Sequence, residues 1–219
     1  MSLISTYDLR LWMGIEEGDK KPNVKLSSIA QAVEDFVDSY TNRKLEAQVY
    51  TTDPYFSYID GKGRNYIYLP QYPVSSVASI YVDNDRVFGS GTLVASSDYF
   101  FYPTGKVRLN NSVWSFGGPG GFQGGFRNIL ANYTAGYAPV VGGTWNSAVS
   151  TYPVPQDLKQ TMIEMCVESF KEGMTAVHTV QAGAEGEPKF IQMLSKNSFW
   201  RNVLVKYKNF ASGLESRDE

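Results

Sequence analysis

The sequence predicts an α+β fold: a small helical bundle into which an antiparallel β module is inserted. Three observations predict it. Apolar residues recur at steps of three and four over residues 5–43 and again over 155–173, the period of helices with one buried stripe. Between those stretches, from Gln48 to Tyr137, the pattern alternates and is broken by turn signals, as short strands do. The chain has 219 residues, 42% of them hydrophobic, enough for one good core or a core plus a satellite. The expected organisation is a helical bundle from 1–45 and 153–178, an inserted β-rich domain at 46–140 with sandwich-like or barrel-like character, and a linker with a C-terminal arm at 179–219.

The elements follow in order. Ser5 to Ile15 reads as a short helix, with Ser5 and Asp8 spaced for a capping box. Glu16 to Asn23 is polar, holds Gly18 and Pro22, and reads as a loop. Val24 to Tyr40 is the cleanest helix: Leu26, Ile29, Val33, Phe36, Val37 and Tyr40 make one apolar stripe, while Lys25, Gln31, Glu34, Asp35 and Asp38 are expected to face away. In the β region, Val49–Thr52 reads as a strand. Asp60-Gly61 reads as a hairpin turn between Tyr58-Ile59 and Asn65–Leu69. Val77–Val82 is a strand ended by Asp83-Asn84-Asp85. Tyr99–Tyr102 and Lys106–Leu109 flank Pro103-Thr104-Gly105 as a second hairpin. Asn128–Tyr133 is the last strand. After a Gly/Ser/Thr-rich connector, Pro155 opens a third helix, with Leu158, Met162, Met165, Cys166, Ser169 and Phe170 on one face. Thr179–Pro188 reads as a mobile linker, Phe190–Phe210 as a helix or an extended arm, and Ala211–Glu219 as a disordered end.

Composition excludes several classes. Lys and Arg number 20 against 22 Asp and Glu, a net charge of −2. A protein that grips nucleic-acid phosphates shows a basic excess. A near-neutral wall instead lets a polyanion slide past. The single cysteine, Cys166, rules out an internal disulfide and fits a reducing compartment. No basic segment followed by an apolar run opens the sequence, and no stretch of about 18 apolar residues is present to span a bilayer. A soluble cytosolic product without a membrane partner is expected.

Catalytic chemistry finds little support. His178 is the sole histidine, so no His–His metal site exists, and a triad would need a placed nucleophile and an orienting carboxylate beside it. Cys166 sits on an apolar helix stripe and reads as a structural cysteine. The glycine-rich stretch Gly117–Gly125 lacks the Gly-Lys-Ser/Thr ending of a phosphate loop. Asp83-Asn84-Asp85 lacks the Gly and distal Glu of a calcium loop. The expectation is a non-enzymatic protein with no cofactor and no metal.

One region carries interaction chemistry. Lys189, Lys196, Arg201, Lys206 and Lys208 are interleaved with Phe190, Phe199, Trp200, Tyr207 and Phe210. Three readings fit: nucleic-acid contact through charge and stacking, a partner-docking arm whose aromatics fill pockets, or packing on the chain itself.

The order of motifs resembles the head–tail connector (adaptor) family of tailed bacteriophages, in its longer form with a β insertion. A short helix (TYDLRLWMGI) leads into a long amphipathic one (LSSIAQAVEDFVDSYTNRKL). Next come YIYLPQYPVSSVASIYVD, the late strand NILANYTAGY and the third helix PVPQDLKQTMIEMCVESF. The resemblance implies a homo-oligomeric ring, typically of twelve copies, beneath the portal protein in the neck of a virion. Such a ring joins the capsid vertex to the next neck, stopper or tail component. It lines a channel for double-stranded DNA without sequence-specific binding, and it is made in the bacterial cytoplasm. It also implies a C-terminal arm on the portal, with Phe199, Trp200, Arg201, Tyr207 and Phe210 as the contacts. The alternative is a β-sandwich module that recognises a glycan or a protein through its Tyr-rich strands.

Overall fold

A computed structural model describes residues 3–16, 18–110, 121–141, 144–147, 150–172 and 189–209. The chain divides into two compact units. A helical unit comprises Met1–Glu46, Ala138–Ala148 and Pro153–Glu219, and a β unit comprises Ala47–Tyr137 and Val149–Tyr152.

In the helical unit, α1 spans Thr6–Met13. Ser5 Oγ accepts the Asp8 N–H at 3.0 Å while the Asp8 carboxylate reaches back to the Ser5 N–H, so two orphan donors of the first turn are satisfied by one pair of side chains. Gly14, at φ 65°, ends the helix in the left-handed region, where a residue without Cβ is least strained. Helix α2 (Asn23–Thr41) buries Leu26, Ile29, Val33 and Val37 on one stripe and stops at Asn42. Helix α3 (Gln156–Lys171) follows Pro155 and buries Leu158, Met162, Met165 and Cys166. Helices α1 and α2 both pack on α3. Each large stripe residue so buried contributes about 1.5–3 kcal/mol, which is what holds helices that are marginal in isolation. Two more helices complete the unit, α4 (Lys189–Lys196) and α5 (Ser198–Lys206).

Glu34 departs from expectation. It is buried rather than outward-facing, and its Oε1 accepts the N–H groups of Leu3 and Ile4 at 2.8 and 3.1 Å. The chain before α1 lies against α2 with Leu3 and Ile4 both buried. Their N–H donors have lost water there, and a carboxylate is the strongest acceptor available to them.

In the β unit, strands run in chain order β1 (Gln48–Tyr50), β2 (Tyr58–Gly61), β3 (Tyr66–Tyr68), β4 (Val74–Val82), β5 (Leu93–Val94), β6 (Tyr99–Phe101), β7 (Lys106–Leu109) and β8 (Gly125–Ala135). The helical unit adds the short pair β9 (Val140–Val141) and β10 (Thr144–Trp145). Strand β8 is the centre of a five-stranded antiparallel sheet. β4 runs along one edge of it, with β5 beyond, while β1 and β2 divide the other edge between them. A second sheet has the order β3-β7-β6. Both sheets feed one core, in which Ile67, Val107 and Leu109 from the smaller sheet meet Ile80, Ile129 and Tyr133 from the larger. Among the described residues neither sheet closes into a barrel, so the barrel-like alternative is set aside in favour of two open sheets on a shared core.

The expected hairpin at Pro103-Thr104-Gly105 forms, pairing β6 with β7, with Gly105 at φ 85°. The expected hairpin at Asp60-Gly61 does not. Both residues lie within β2, which pairs with β8, and β3 pairs with β7 instead. The local Asp-Gly signal serves two tertiary contacts. Asp60 Oδ1 accepts the Arg127 N–H at 2.7 Å, and a Cβ on Gly61 would stand 1.8 Å from the Gln123 carbonyl oxygen. Glycine is therefore required by a close backbone approach, not by a turn. Replacing Gly61 by Ala is expected to destabilise the β unit by about 1–3 kcal/mol, read as a lower midpoint in calorimetry.

Candidate functional site

The last C-terminal helix holds Phe199, Trp200 and Arg201, and Tyr207 follows it directly. Asn197 caps α5, its Oδ1 accepting the N–H groups of Phe199 and Trp200 at 3.1 and 3.3 Å. Spacing within α5 then puts Trp200, Val203 and Leu204 on one buried face, and α5 packs on α2 and α3. Trp200 Nε1 donates to Glu164 Oε2 at 2.7 Å, and Gln160 holds the other oxygen of that carboxylate at 2.9 Å. The Tyr207 hydroxyl donates to Asp157 Oδ1 at 2.6 Å, and Lys206 Nζ lies 3.4 Å from Asp157 Oδ2. Arg43 donates to the Tyr207 carbonyl at 3.1 Å, and Lys208 Nζ sits 4.1 Å over the Tyr40 ring. In α4, Phe190 is buried, with its ring 4.9 Å from that of Phe36.

The five predicted contacts therefore separate. Trp200 is buried and hydrogen-bonded within its own unit, and Tyr207 is half-buried on Asp157. Phe199 is 53% exposed, and Arg201 is exposed beside it on the same helix. Phe210 lies outside the described residues. The C-terminal segment forms the two helices Lys189–Lys196 and Ser198–Lys206 rather than an extended arm, and Phe190 and Trp200 pack on the chain itself. What the sequence did not disclose is that Glu164 and Asp157, seven apart on α3 and so on one helix face, are the polar anchors of α5.

The Asp157 carboxylate accepts from three donors. Burial alone would raise its carboxyl, but hydrogen bonds from Tyr207, the Leu158 N–H and Lys206 outweigh this and hold it below the ordinary value.

The remaining chemistry-bearing groups are committed elsewhere. Cys166 is buried, and its thiol is pushed far up, first by burial and then by the nearby Glu34 charge. The Asp83 carboxylate is taken by its own turn, accepting from Asp85, Val87 and Phe88 at 2.9–3.0 Å. Gly121–Gly125 runs into strand β8 rather than into a helix, so no helix N-terminus stands there to receive a phosphate. Gly121 packs against Gly63 and Arg64, where a Cβ would stand 2.7 Å from the Gly63 carbonyl oxygen. His178, the linker at 179–188 and Gly117–Gly120 lie outside the described residues. A shallow pocket is lined by Asn84, Arg86, Gly124, Gly125, Phe126 and Asn128. The Asn128 amide there is spent on Gly61, Asn84 and Gln123. Among the described residues, no group of three His, Cys, Asp or Glu is placed to hold a metal ion, and no helix is long and apolar enough to cross a membrane.

No protein-family model matches the chain, and no curated protein matches it. Solved structures that align with the chain include a chain from the neck of an empty gene transfer agent particle computed with C6 symmetry. That chain has 17% identity and a TM-score of 0.49, with 94% of this chain and 90% of that chain covered. A chain from the neck of a native gene transfer agent particle computed with C12 symmetry aligns at 14% identity and a TM-score of 0.40, covering 86% and 88%. A chain from the virion of a native gene transfer agent particle aligns at 15% identity and a TM-score of 0.39, covering 84% and 77%.

Two outcomes are expected. Cys166 should resist a disulfide-exchange reagent in native protein and react on unfolding in denaturant, followed by absorbance. A carboxyl depressed in the folded state adds stability above its unfolded pKa of about 3.9 and loses it as pH falls through the folded value. Asp157→Asn should therefore lower the urea midpoint at neutral pH, and its difference from wild type should shrink as pH falls below about 3.9.

Proposed function

We propose that this chain is a structural adaptor subunit in the neck of a tailed phage or phage-like particle. It assembles as a homo-oligomeric ring against the portal and joins the capsid vertex to the next neck component. The observation that carries the reading is the order of its motifs, each sitting at a fold-determining place. TYDLRLWM is the capped helix α1 and the LSSIAQAVEDFVDSYT stretch fills α2. The YPVSSV run crosses the cis Tyr72–Pro73 peptide into β4, NILANYTA forms most of the central strand β8, and PVPQDL opens α3.

The portal-facing residues are narrowed by burial. Phe199 and Arg201 are the members of the predicted set with side chains presented to solvent on α5, and an aromatic beside an Arg is the kind of anchor that dominates interfaces. A net charge of −2 suits a ring around passing duplex DNA that is not gripped. The domain organisation belongs to the same reading, the helical unit forming the ring scaffold and the β unit supplying a surface of its own.

Electron microscopy of the chain co-expressed with the portal of its own particle tests the class. Rings stacked on portal rings are expected. A chain that stays monomeric beside assembled portal, and is absent from purified particles, overturns the reading. Within it, Phe199→Asp combined with Arg201→Glu should weaken portal binding by about tenfold or more while leaving the thermal midpoint unchanged, because neither side chain is buried in the free subunit.

A further inference from the structure

The outer face of the β3-β7-β6 sheet gathers aromatic and cationic side chains that have no acidic counterpart among the described residues. Ile67, Val107 and Leu109 point into the core, so the alternate residues of these strands point the other way. Register sets Tyr66, Arg108 and Phe100 in one row across the three strands, and Tyr68 and Lys106 in the next. Tyr102 extends that second row, its N–H donating to the Lys106 carbonyl. Lys106 Nζ lies 4.5 Å over the Tyr66 ring and 6.0 Å from that of Tyr68, while Arg64 Nη1 donates to the Tyr66 hydroxyl at 2.9 Å. Tyr68, Phe100 and Tyr102 are 53%, 41% and 42% exposed. Among the described residues, none of Arg64, Lys106 and Arg108 is paired with a carboxylate. A chain whose net charge is −2 thus presents three cations on one small, ring-covered face.

Geometry decides what such a face fits. A ladder for nucleic-acid bases needs open ring faces turned the same way. Here Tyr66 and Tyr68 meet at 76° and Phe100 and Tyr102 at 73°, each pair edge to face with centroids 5.6 Å apart. Within each pair the rings cannot both offer parallel faces, and the face of Tyr66 is already taken by Lys106. Carboxylates answer the arrangement better. Lys106 and Arg108 are alternate residues of one strand, about 6.5–7 Å apart by strand rise. An extended peptide presents every second side chain at that same repeat.

We propose that this face docks an extended acidic segment of a protein partner. Its alternate carboxylates meet Lys106 and Arg108, and its backbone and side-chain stems lie on Tyr68, Phe100 and Tyr102. The proposal does not rest on the adaptor reading, since it concerns the β unit's own surface.

Fluorescence anisotropy with the full-length chain tests it, using labelled peptides of alternating Glu and Thr, their Gln-for-Glu counterparts, and unlabelled oligothymidylate as competitor. The Glu peptide is expected to bind, to weaken as salt rises from about 0.05 to about 0.5 M, and to lose about tenfold or more in affinity to the Lys106→Glu, Arg108→Glu double variant. That variant should keep the wild-type circular dichroism spectrum. Equal binding of the Gln peptide, indifference to salt, full retention by the folded double variant, or displacement by oligothymidylate at lower concentration than by unlabelled Glu peptide would each overturn the proposal. Should the double variant fail to fold, the salt and Gln-peptide arms decide it on wild-type protein.

Discussion

Strand β8 is the constraint on which the β unit depends. It is hydrogen-bonded along both edges, to β4 on one side and to β1 and β2 in succession on the other. No other strand of that sheet is so fully enclosed, and the burial of Asn128, Ile129, Leu130, Ala131, Tyr133 and Ala135 follows from it. Tyr133 shows how tightly this centre is set: its ring stacks 5.0 Å from that of Tyr50, and its hydroxyl donates to the Phe56 carbonyl at 3.0 Å. Burial, reinforced by the neighbouring Tyr50, pushes the phenol far above its ordinary range. Asn128 performs the same service for the backbone, closing the irregular stretch where β2 slips register against β8.

In the helical unit, apolar stripes supply the energy but carboxylates supply the register. Stripes of Leu, Ile, Val and Met tolerate sliding, since any apolar neighbour will do. Glu34, Glu164 and Asp157 do not tolerate it. Each accepts from named donors on a distant segment: the Leu3 and Ile4 N–H groups, the Trp200 indole and the Tyr207 hydroxyl. Removing one partner strands a dehydrated polar group, which costs more than the bond itself contributes. The aromatic residues that look like partner anchors in the sequence are thereby shared out, with Trp200 and Tyr207 kept inside and Phe199 left outside.

The legible features were those with a local physical cause. The stripe of α2, the capping box of Ser5 and Asp8, the Pro103–Gly105 turn and the Pro155 helix start each depend on residues within a few positions of one another, and each is present. The features that escaped depend on pairing across the chain. Asp60-Gly61 carries a strong hairpin signal, yet its partners are Arg127 and Gln123, more than sixty positions away. Glu34 is polar at the margin of an apolar stripe, and nothing in its neighbours announces that Leu3 and Ile4 will need an acceptor. The candidate contacts stand out in the sequence as a composition, rings interleaved with cations. Which of them are spent internally is fixed by Asp157 and Glu164, whose periodicity on α3 is invisible beside the stronger apolar one.

The pairing of β1 with the end of β8 has a consequence of a different kind. Gln48 stands opposite Ala135, and the Ala47 N–H donates to the Tyr137 carbonyl at 2.9 Å. The chain therefore leaves for the β unit and comes back at neighbouring points, about 5 Å apart as ladder partners are. The two ends of Ala47–Tyr137 thus meet at one place, and the length between them adds little to the entropy of closing the segment. Residues added to a loop between those two points would leave the ends of the segment where they are, so its sheet surfaces can change without moving where the chain leaves and re-enters.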